Sequence, residues 1–443
     1  MNNINIIKKI ITLIFVFSIF SSNISGLFIN EKHTIILHDN PIINESKLDC
    51  QKGIKILYLN GSHYQMGYQH GYLLKDEVNE NMRAFISYIE KSTTYSYLLE
   101  MWNVTRPYIP ICYIKEMQGI CDGAEVPFEN MAVSYMYVLF LDMQCFTYAA
   151  WSNATIDGKL YHIRSLDFPL VIQDPLTGKY IQENSVIIVK NPEDGLKSIV
   201  PSIAGAINFY QGINEKKISI GVEVCWSSNQ TLKGTPVIFK TQKILESAHS
   251  LDESIDILKQ NKTLGWNFII SDGKIGKGYA IEINSNETYV GTWDDPIEDI
   301  DPFWCIENVV RRTNFFINPT LASSQRDNYN PGGVKGFLKI FEGDSFFPLW
   351  RKYRSMSIEI DKKWGEFDLN SSINLLRKVY SGKTDFLLFF FLMIGKNSIL
   401  CDFHQWAVCP DTGDFIISIA NENKYAHETD LHYFNINDLF EYF

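Results

Sequence analysis

Residues 54–59 alternate loosely between apolar and polar positions and predict a strand. From 61 to 89 the period lengthens. Tyr64, Met66, Tyr68, Tyr72, Leu73 and Leu74, then Val78, Met82, Phe85 and Ile86, follow a helical stripe. Asp122-Gly123 reads as a turn leading into a second helix at 127–140. After Cys145 the pattern switches to period two. Residues 146–151 and 160–168 predict two strands joined through Asp157-Gly158, a dipeptide that favours a tight hairpin. Further strands are predicted at 186–190, 198–203, 207–211 and 218–224, and helices at 236–248 and 251–259. Strands at 266–271, 278–284 and 288–293 follow, then helices at 350–360 and 371–380. Strands around 398–407 and 414–420 close the chain. Residues 294–330, rich in Asp, Pro and Asn, predict a long surface excursion. Helices, strands, helices and strands again fit an α+β chain of two packed sheets with helices outside.

The amino terminus changes this picture. Lys8 and Lys9 precede an apolar run at 10–20, and a small, polar stretch follows at 21–26. That order predicts a secretory signal peptide over residues 1–26. Eleven apolar residues are too few to cross a bilayer as a helix, so no transmembrane helix is expected in the mature chain. The wholly apolar run at 386–394 is too short as well. It predicts a buried element or a patch that meets acyl chains. Asn44, Asn60, Asn103, Asn153, Asn229, Asn261, Asn286 and Asn370 each open an Asn-X-Ser/Thr triplet and predict N-glycosylation. A secreted or lysosomal location follows as the expectation. The net charge of −11 argues against nucleic acid, whose phosphates need a basic surface. The eight cysteines show no zinc-like spacing, and no metal or cofactor is expected. Cys112 with Cys121, and Cys401 with Cys409, are close enough in sequence for local bridges.

Cys145 carries the candidate chemistry. It begins a strand just after a helix, and the hairpin returns Arg164 and Asp167 alongside it. A thiolate is the reactive form of cysteine, and a nearby positive charge lowers the thiol pKa, which Arg164 could do. Asp167 could orient an amine and stabilise its protonated form. The same residues also suit an ordinary buried ion pair on a hairpin, with Cys145 as one more core or bridged cysteine. His162 is the nearest histidine for a Cys/His site, and the strand pattern sets it on the face opposite Ile163, half-exposed.

The segment running from Cys145 through Asp157-Gly158 to Arg164-Ser165-Leu166-Asp167-Phe168 resembles the nucleophile region of a known family. This is the acyl-coenzyme A:6-aminopenicillanic acid acyltransferase family (peptidase family C45) of the N-terminal nucleophile hydrolases. Its relatives include acid ceramidase, N-acylethanolamine amidase and the bile salt and penicillin V amidases. The run from Gly61 to Gly71 resembles the motif before that family's first helix. Gly212-Ile213-Asn214-Glu215-Lys216-Lys217 resembles its turn-strand element, with Lys217 where glycine is usual. The run from Gly265 to Asp272 resembles a later strand. Arg312-Thr313-Asn314-Phe315-Phe316 resembles its Thr-Asn element, with Phe315 where histidine is common. Asp411-Thr412-Gly413 resembles its final hairpin.

The resemblance implies an αββα sandwich. It also implies cleavage between Gln144 and Cys145, which would leave residues 27–144 as a light chain bound to a heavy chain of residues 145–443. The freed α-amine of Cys145 would act as base for its own thiol. Asn314 would stabilise the oxyanion, and either Arg351 or Arg354 would be the family's late arginine. Asn267 reads as a sheet residue. The implied activity is hydrolysis of a linear amide in an N-acyl amine or lipid, through an acyl-cysteine. Acyl transfer, ester hydrolysis of the phospholipase B-like kind, and an unprocessed non-catalytic glycoprotein remain as alternatives.

Overall fold

The computed structural model describes residues 42–138, 145–325, 338, 346–385 and 402–443. The expected signal peptide, Gln144, Cys401 and the apolar run at 386–394 lie outside them.

Two strands, β1 (Lys47–Gln51) and β2 (Ile54–Gly61), lead into five helices: α1 (His63–Leu73), α2 (Lys75–Ile89), α3 (Tyr95–Thr105), α4 (Ile111–Ala124) and α5 (Phe128–Val138). The hairpin β3 (Phe146–Ser152) and β4 (Gly158–Asp167) follows. Then come β5 (Ser185–Pro192), β6 (Ser198–Ile203), β7 (Gln211–Asn214) and β8 (Ile218–Val224). Helices α6 (Val237–Ser247) and α7 (Leu251–Lys259) precede β9 (Trp266–Asp272), β10 (Lys277–Ile283), β11 (Thr288–Gly291) and β12 (Val309–Arg312). Helices α8 (Phe346–Lys362) and α9 (Leu369–Tyr380), strands β13 (Asp402–Val408), β14 (Asp414–Ile419) and β15 (His432–Asn435), and helix α10 (Ile436–Phe440) complete the described chain.

The strands form two sheets. One has nine strands in the order β1-β2-β5-β6-β7-β8-β9-β10-β11, and the other has six in the order β12-β3-β4-β13-β14-β15. Neighbours are antiparallel except β2 and β5, which a long excursion through the helices and the β3–β4 hairpin makes parallel. The sheets face each other, with β3 against β8, β9 and β10 and β12 against β9 and β10. Helix α1 covers β2, and α6 and α7 cover β7 to β10; on the far side α9 covers β4, β13 and β14. The chain is therefore an αββα sandwich, the architecture the resemblance implied.

The alternation in β3 and β4 explains how chemistry reaches the middle of this stack. Successive strand side chains point to opposite faces. Phe146, Tyr148 and Ile163 join the core beneath α8 and α9, whereas Thr147, His162 and Arg164 meet groups of the nine-stranded sheet. His162 is thus wholly buried rather than half-exposed, bonded to Ser271 Oγ at 2.6 Å. Burial and Arg164 push its pKa down to about 3, so it stays neutral.

Several sequence expectations are corrected. The helix predicted over 61–89 breaks at Leu74 into two. The first is capped by Ser62 and Gln65 in a reciprocal capping box. Asp122-Gly123 is no turn but lies within α4. Gly119 and Gly123 of α4 meet Gly67 and Gly71 of α1 so closely that a Cβ on any of the four would overlap the partner's backbone. These glycines serve helix contact, which hides their role from a turn-based reading. Cys112 and Cys121 both sit on α4. Nine residues of helix separate them by about 13.5 Å, beyond disulfide reach, and both are free thiols. The strand expected at 207–211 begins only at Gln211. The stretch at 294–330 is not all surface, since β12 pairs with β3 as a buried strand of the second sheet.

Candidate active site

Cys145 sits at the head of β3, between the sheets and fully buried. Its sulfur accepts from Arg164 Nη2 at 3.6 Å and donates to the Asp167 carbonyl at 3.9 Å. Its own carbonyl accepts from Thr313 Oγ1 at 2.8 Å. Burial pushes the thiol up to about 11; Arg164 pulls it down, while Asp167 and Glu223 add to the rise. In the intact chain, then, the sulfur is protonated at neutral pH.

Arg164 reaches the sulfur because its guanidinium is held from the other sheet, through Val222 O at 2.6 Å and Gln211 Oε1 at 2.9 Å. Gly221 makes the crossing possible: a Cβ there would stand 2.8 Å from Thr147 Oγ1 and 2.9 Å from Arg164 Cδ.

The Asp167 side chain is bonded to α8 and α9. It accepts from Lys352 Nζ at 3.0 Å, from Tyr380 Oη at 2.9 and 3.0 Å, and from Ser165 Oγ at 2.9 Å. Burial raises its pKa, and Lys352 opposes the rise more than any other group. Neither arginine expected from the sequence makes this contact. Arg351 pairs with Asp385 at 2.5 Å, and Arg354 lines a surface hollow with Arg351, Ser355 and Glu359. The intervening Lys352 is the cation that enters. Its signal was present: Leu349, Lys352, Tyr353, Met356 and Ile360 form one i, i+3, i+4 stripe of buried residues.

Glu223 on β8 was also missed. It is fully buried and accepts from Thr147 Oγ1, while its second oxygen has no partner among the described residues. Burial pushes it up to about 7 against the pull of Arg164. In the sequence it reads as the solvent side of an alternating strand. The second sheet covers that side, so the reading inverts.

Asn314 donates one N–H to Val224 O at 2.8 Å, and Thr313 Oγ1 donates to its Oδ1 at 3.4 Å. It follows Thr313, which holds the Cys145 carbonyl, so Asn314 lies next to the head of β3. Asn267 spends its amide on Thr313 O and Phe315 O, each at 2.8 Å. It fixes the 313–315 segment, as the sheet reading expected. An apolar cavity adjoins this centre. Met82, Phe85, Tyr135, Phe209, Tyr210 and Ile238 are among its walls. Tyr210, with φ +64°, is close enough for its hydroxyl to feel Cys145 and Arg164.

Among the described residues, His63, Glu116 and Glu246 bring metal-ligating atoms within 4.8 Å of one another. Lys190 stands 2.5 Å from Glu116 in the same buried cluster, and His63 is 2.8 Å from Glu116 and 3.7 Å from Glu246. Burial would lower the His63 pKa, but its bonds to Cys112 and Glu116 and the two glutamates raise it to about 10. Against the effect of burial, Lys190 and His63 hold Glu116 below the usual carboxyl range, whereas burial and Glu116 push Glu246 above it.

No family model matches the chain. Protein dcd1B of Dictyostelium discoideum is 28% identical over 240 residues, covering 47% of this chain and 46% of the relative. Protein dcd1A of the same organism is 24% identical over 277 residues, covering 55% and 60%. An uncharacterized protein of Archaeoglobus fulgidus is 23% identical over 289 residues, covering 56% and 46%. The match therefore spans between 46% and 60% of the curated relatives' own length. Among solved structures, the Caenorhabditis elegans N-acylethanolamine-hydrolyzing acid amidase ortholog has a TM-score of 0.40 at 14% identity, covering 66% of this chain and 100% of its own. A mutant conjugated bile acid hydrolase from Clostridium perfringens has a TM-score of 0.37 at 16% identity, covering 66% and 93%. Penicillin V acylase from Agrobacterium tumefaciens has a TM-score of 0.37 at 10% identity, covering 66% and 86%. These likenesses are distant, and it is the layering of the two sheets that assigns the fold.

Proposed function

We propose that this chain is a self-processing cysteine hydrolase that cleaves the amide bond of an N-acyl amine or lipid through an acyl-cysteine. One observation carries the reading. The Cys145 sulfur lies between the Arg164 guanidinium and the main chain of Asp167, at the head of a strand inside an αββα sandwich. In the intact chain this thiol has no α-amine beside it; processing would begin with its attack on the Gln144 carbonyl, and water would hydrolyse the resulting thioester. Cleavage between Gln144 and Cys145 would free an α-amine beside the sulfur, and that group has an ordinary pKa near ~8. It can take the thiol proton, while Arg164 favours the thiolate. Attack on the substrate carbonyl forms the acyl-cysteine and releases the amine. Water then releases the acid.

The other residues take roles in the same scheme. Asp167, whose ionised form Lys352 favours, would orient the α-amine. Asn314 has a second amide N–H that would donate to the oxyanion. Glu223, with an oxygen to spare, would face the substrate side of Arg164. The apolar cavity suits a hydrocarbon acyl group, because it offers aromatic and aliphatic walls and few polar atoms. Residues 27–144 would remain as the light chain.

Export is part of the proposal. Asn44, Asn103, Asn153, Asn261, Asn286 and Asn370 are exposed, while Asn60 and Asn229 are half-buried. Asn60 is also engaged with Glu45 and Asn191. Glycans are therefore expected on the first six. No described helix is long and apolar enough to cross a membrane.

The test joins processing to turnover. The purified protein should give two bands on a denaturing gel, the heavier beginning at Cys145, and Cys145→Ala should give one. A panel of N-acyl amides, with matched esters and acyl acceptors, then reads hydrolysis against esterase or transferase activity. A heavy chain starting elsewhere, or hydrolysis that survives Cys145→Ala, would overturn the reading.

A further inference from the structure

Asp402 opens β13 directly opposite Asp167 on β4. The register slips between Asp402 and His404. Such a bulge re-aims the side chain beside it. A second buried carboxylate therefore stands next to the first, at a position the scheme above does not use. Asp402 is bound twice by one residue: the backbone N–H of His427 donates to it at 2.6 Å and Nδ1 at 2.8 Å. His427 lies on the short turn Ala426–Glu428. Of the two side chains only His427 reaches solvent, being 10% exposed against 0% for Asp402.

The charged and titratable groups facing Asp402 are few. Asp167 comes from β4 with its partner Lys352 from α8, Tyr380 and Arg377 come from α9, and His427 from the turn. Asp430 also acts on Arg377. Burial pushes Asp402 up to about 6; His427 opposes this, and Asp167 adds to it. Tyr380, whose hydroxyl binds Asp167, is influenced by Asp167, Asp402 and Cys145 alike. When two carboxylates share a buried site, ionising one raises the proton affinity of the other.

We propose that Asp402 and His427 are a positioning pair that reports solution pH to the Cys145 centre. When Asp402 gives up its proton, the new negative charge beside Asp167 makes Asp167 hold a proton more tightly. The use of this coupling rests on the hydrolase reading, but the coupling itself is a property of the fold.

The test titrates Asp167 directly, in protein labelled with carboxyl-13C aspartate, using the signal missing in Asp167→Asn to mark it. Asp402→Asn keeps the shape and an acceptor oxygen for His427 while removing the charge. Its Asp167 midpoint should fall, because the neighbouring charge is gone. An unchanged midpoint in a folded Asp402→Asn protein overturns the proposal. Should that variant fail to fold, the same signal is followed in the wild-type protein. That signal should bend a second time where Asp402 ionises, and a single smooth titration overturns the coupling. Neither readout needs turnover or cleavage, so an inactive or uncut chain would refute the hydrolase reading and leave this result standing.

Discussion

The Lys352 ammonium lies 3.0 Å from the Asp167 carboxylate, and both groups are shut away from water. A buried pair of this kind is costly to break, because the survivor keeps its charge without a partner.

Lys352→Met is therefore expected to lower stability by about 3–5 kcal/mol. It should also raise the Asp167 pKa further, since Lys352 is the main group opposing the effect of burial. Asp167 must be ionised to hold an ammonium, so the acid limb of the turnover profile should move to higher pH. Lys352→Arg, which keeps the charge, should restore most of the limb. Melting curves and pH–rate profiles on the same samples decide it.

Asp167→Asn removes the charge and keeps the size. Turnover should fall by about 10²–10⁴-fold, the usual contribution of a positioned acid–base group. If the pair acts as a unit, Asp167→Asn with Lys352→Met should cost less stability than the two single changes added together. Near-normal turnover in a stable Asp167→Asn protein would make the pair structural.

Glu223 predicts a stability slope. Its folded pKa, about 7, is raised above the ordinary carboxyl value. Its stabilising share is thus complete below that ordinary value and is lost as pH rises through about 7. The share is of order 3 kcal/mol. Glu223→Gln, still able to accept from Thr147, should flatten the loss of stability between about pH 4.5 and 7. Chemical denaturation at several pH values reads the slope, and an unchanged slope would place the titrating group elsewhere.

The contact between α1 and α4 gives a packing prediction. Gly71→Ala would drive a methyl group into the backbone at Ile120. Overpacking typically costs about 1–3 kcal/mol, and a backbone obstacle gives way less easily than a side chain. Gly276→Ala is the control. It has nothing within 4 Å but keeps φ +62°, so it reads backbone strain alone. Soluble yield and melting temperature should fall further for Gly71→Ala.

These residues also show where sequence reading reached and where it stopped. The β3–β4 hairpin was legible because period-two patterning and Asp157-Gly158 agree with the tertiary structure. The Lys217 departure is explained by its backbone, since φ +62° at that turn is the left-handed region that glycine enters most easily. Its side chain is anchored on Asp411 O at 3.0 Å. Lys352 and Glu223 were missed for one shared reason: a charged residue in an amphipathic pattern reads as the solvent face. In a four-layer stack the polar face of one layer is the buried face of the next. The resemblance points to an arginine, Arg351 or Arg354, whereas the helical stripe selects their neighbour Lys352.

Strand β2 is hydrogen-bonded along its length to β5, so the polypeptide before Cys145 supplies two strands of the nine-stranded sheet. If the chain is cut ahead of Cys145, that sheet becomes the joint property of two molecules. Unfolding the mature protein would then separate them, and recovery would require an encounter between two strangers at a rate set by their concentration. The uncut chain meets no such requirement, because its parts are tethered. Heat inactivation should consequently reverse for the Cys145→Ala precursor and fail for the cut protein in dilute solution. Maturation in this sense is a one-way gate: the shape has to be reached first, because the cut removes the means of finding it again.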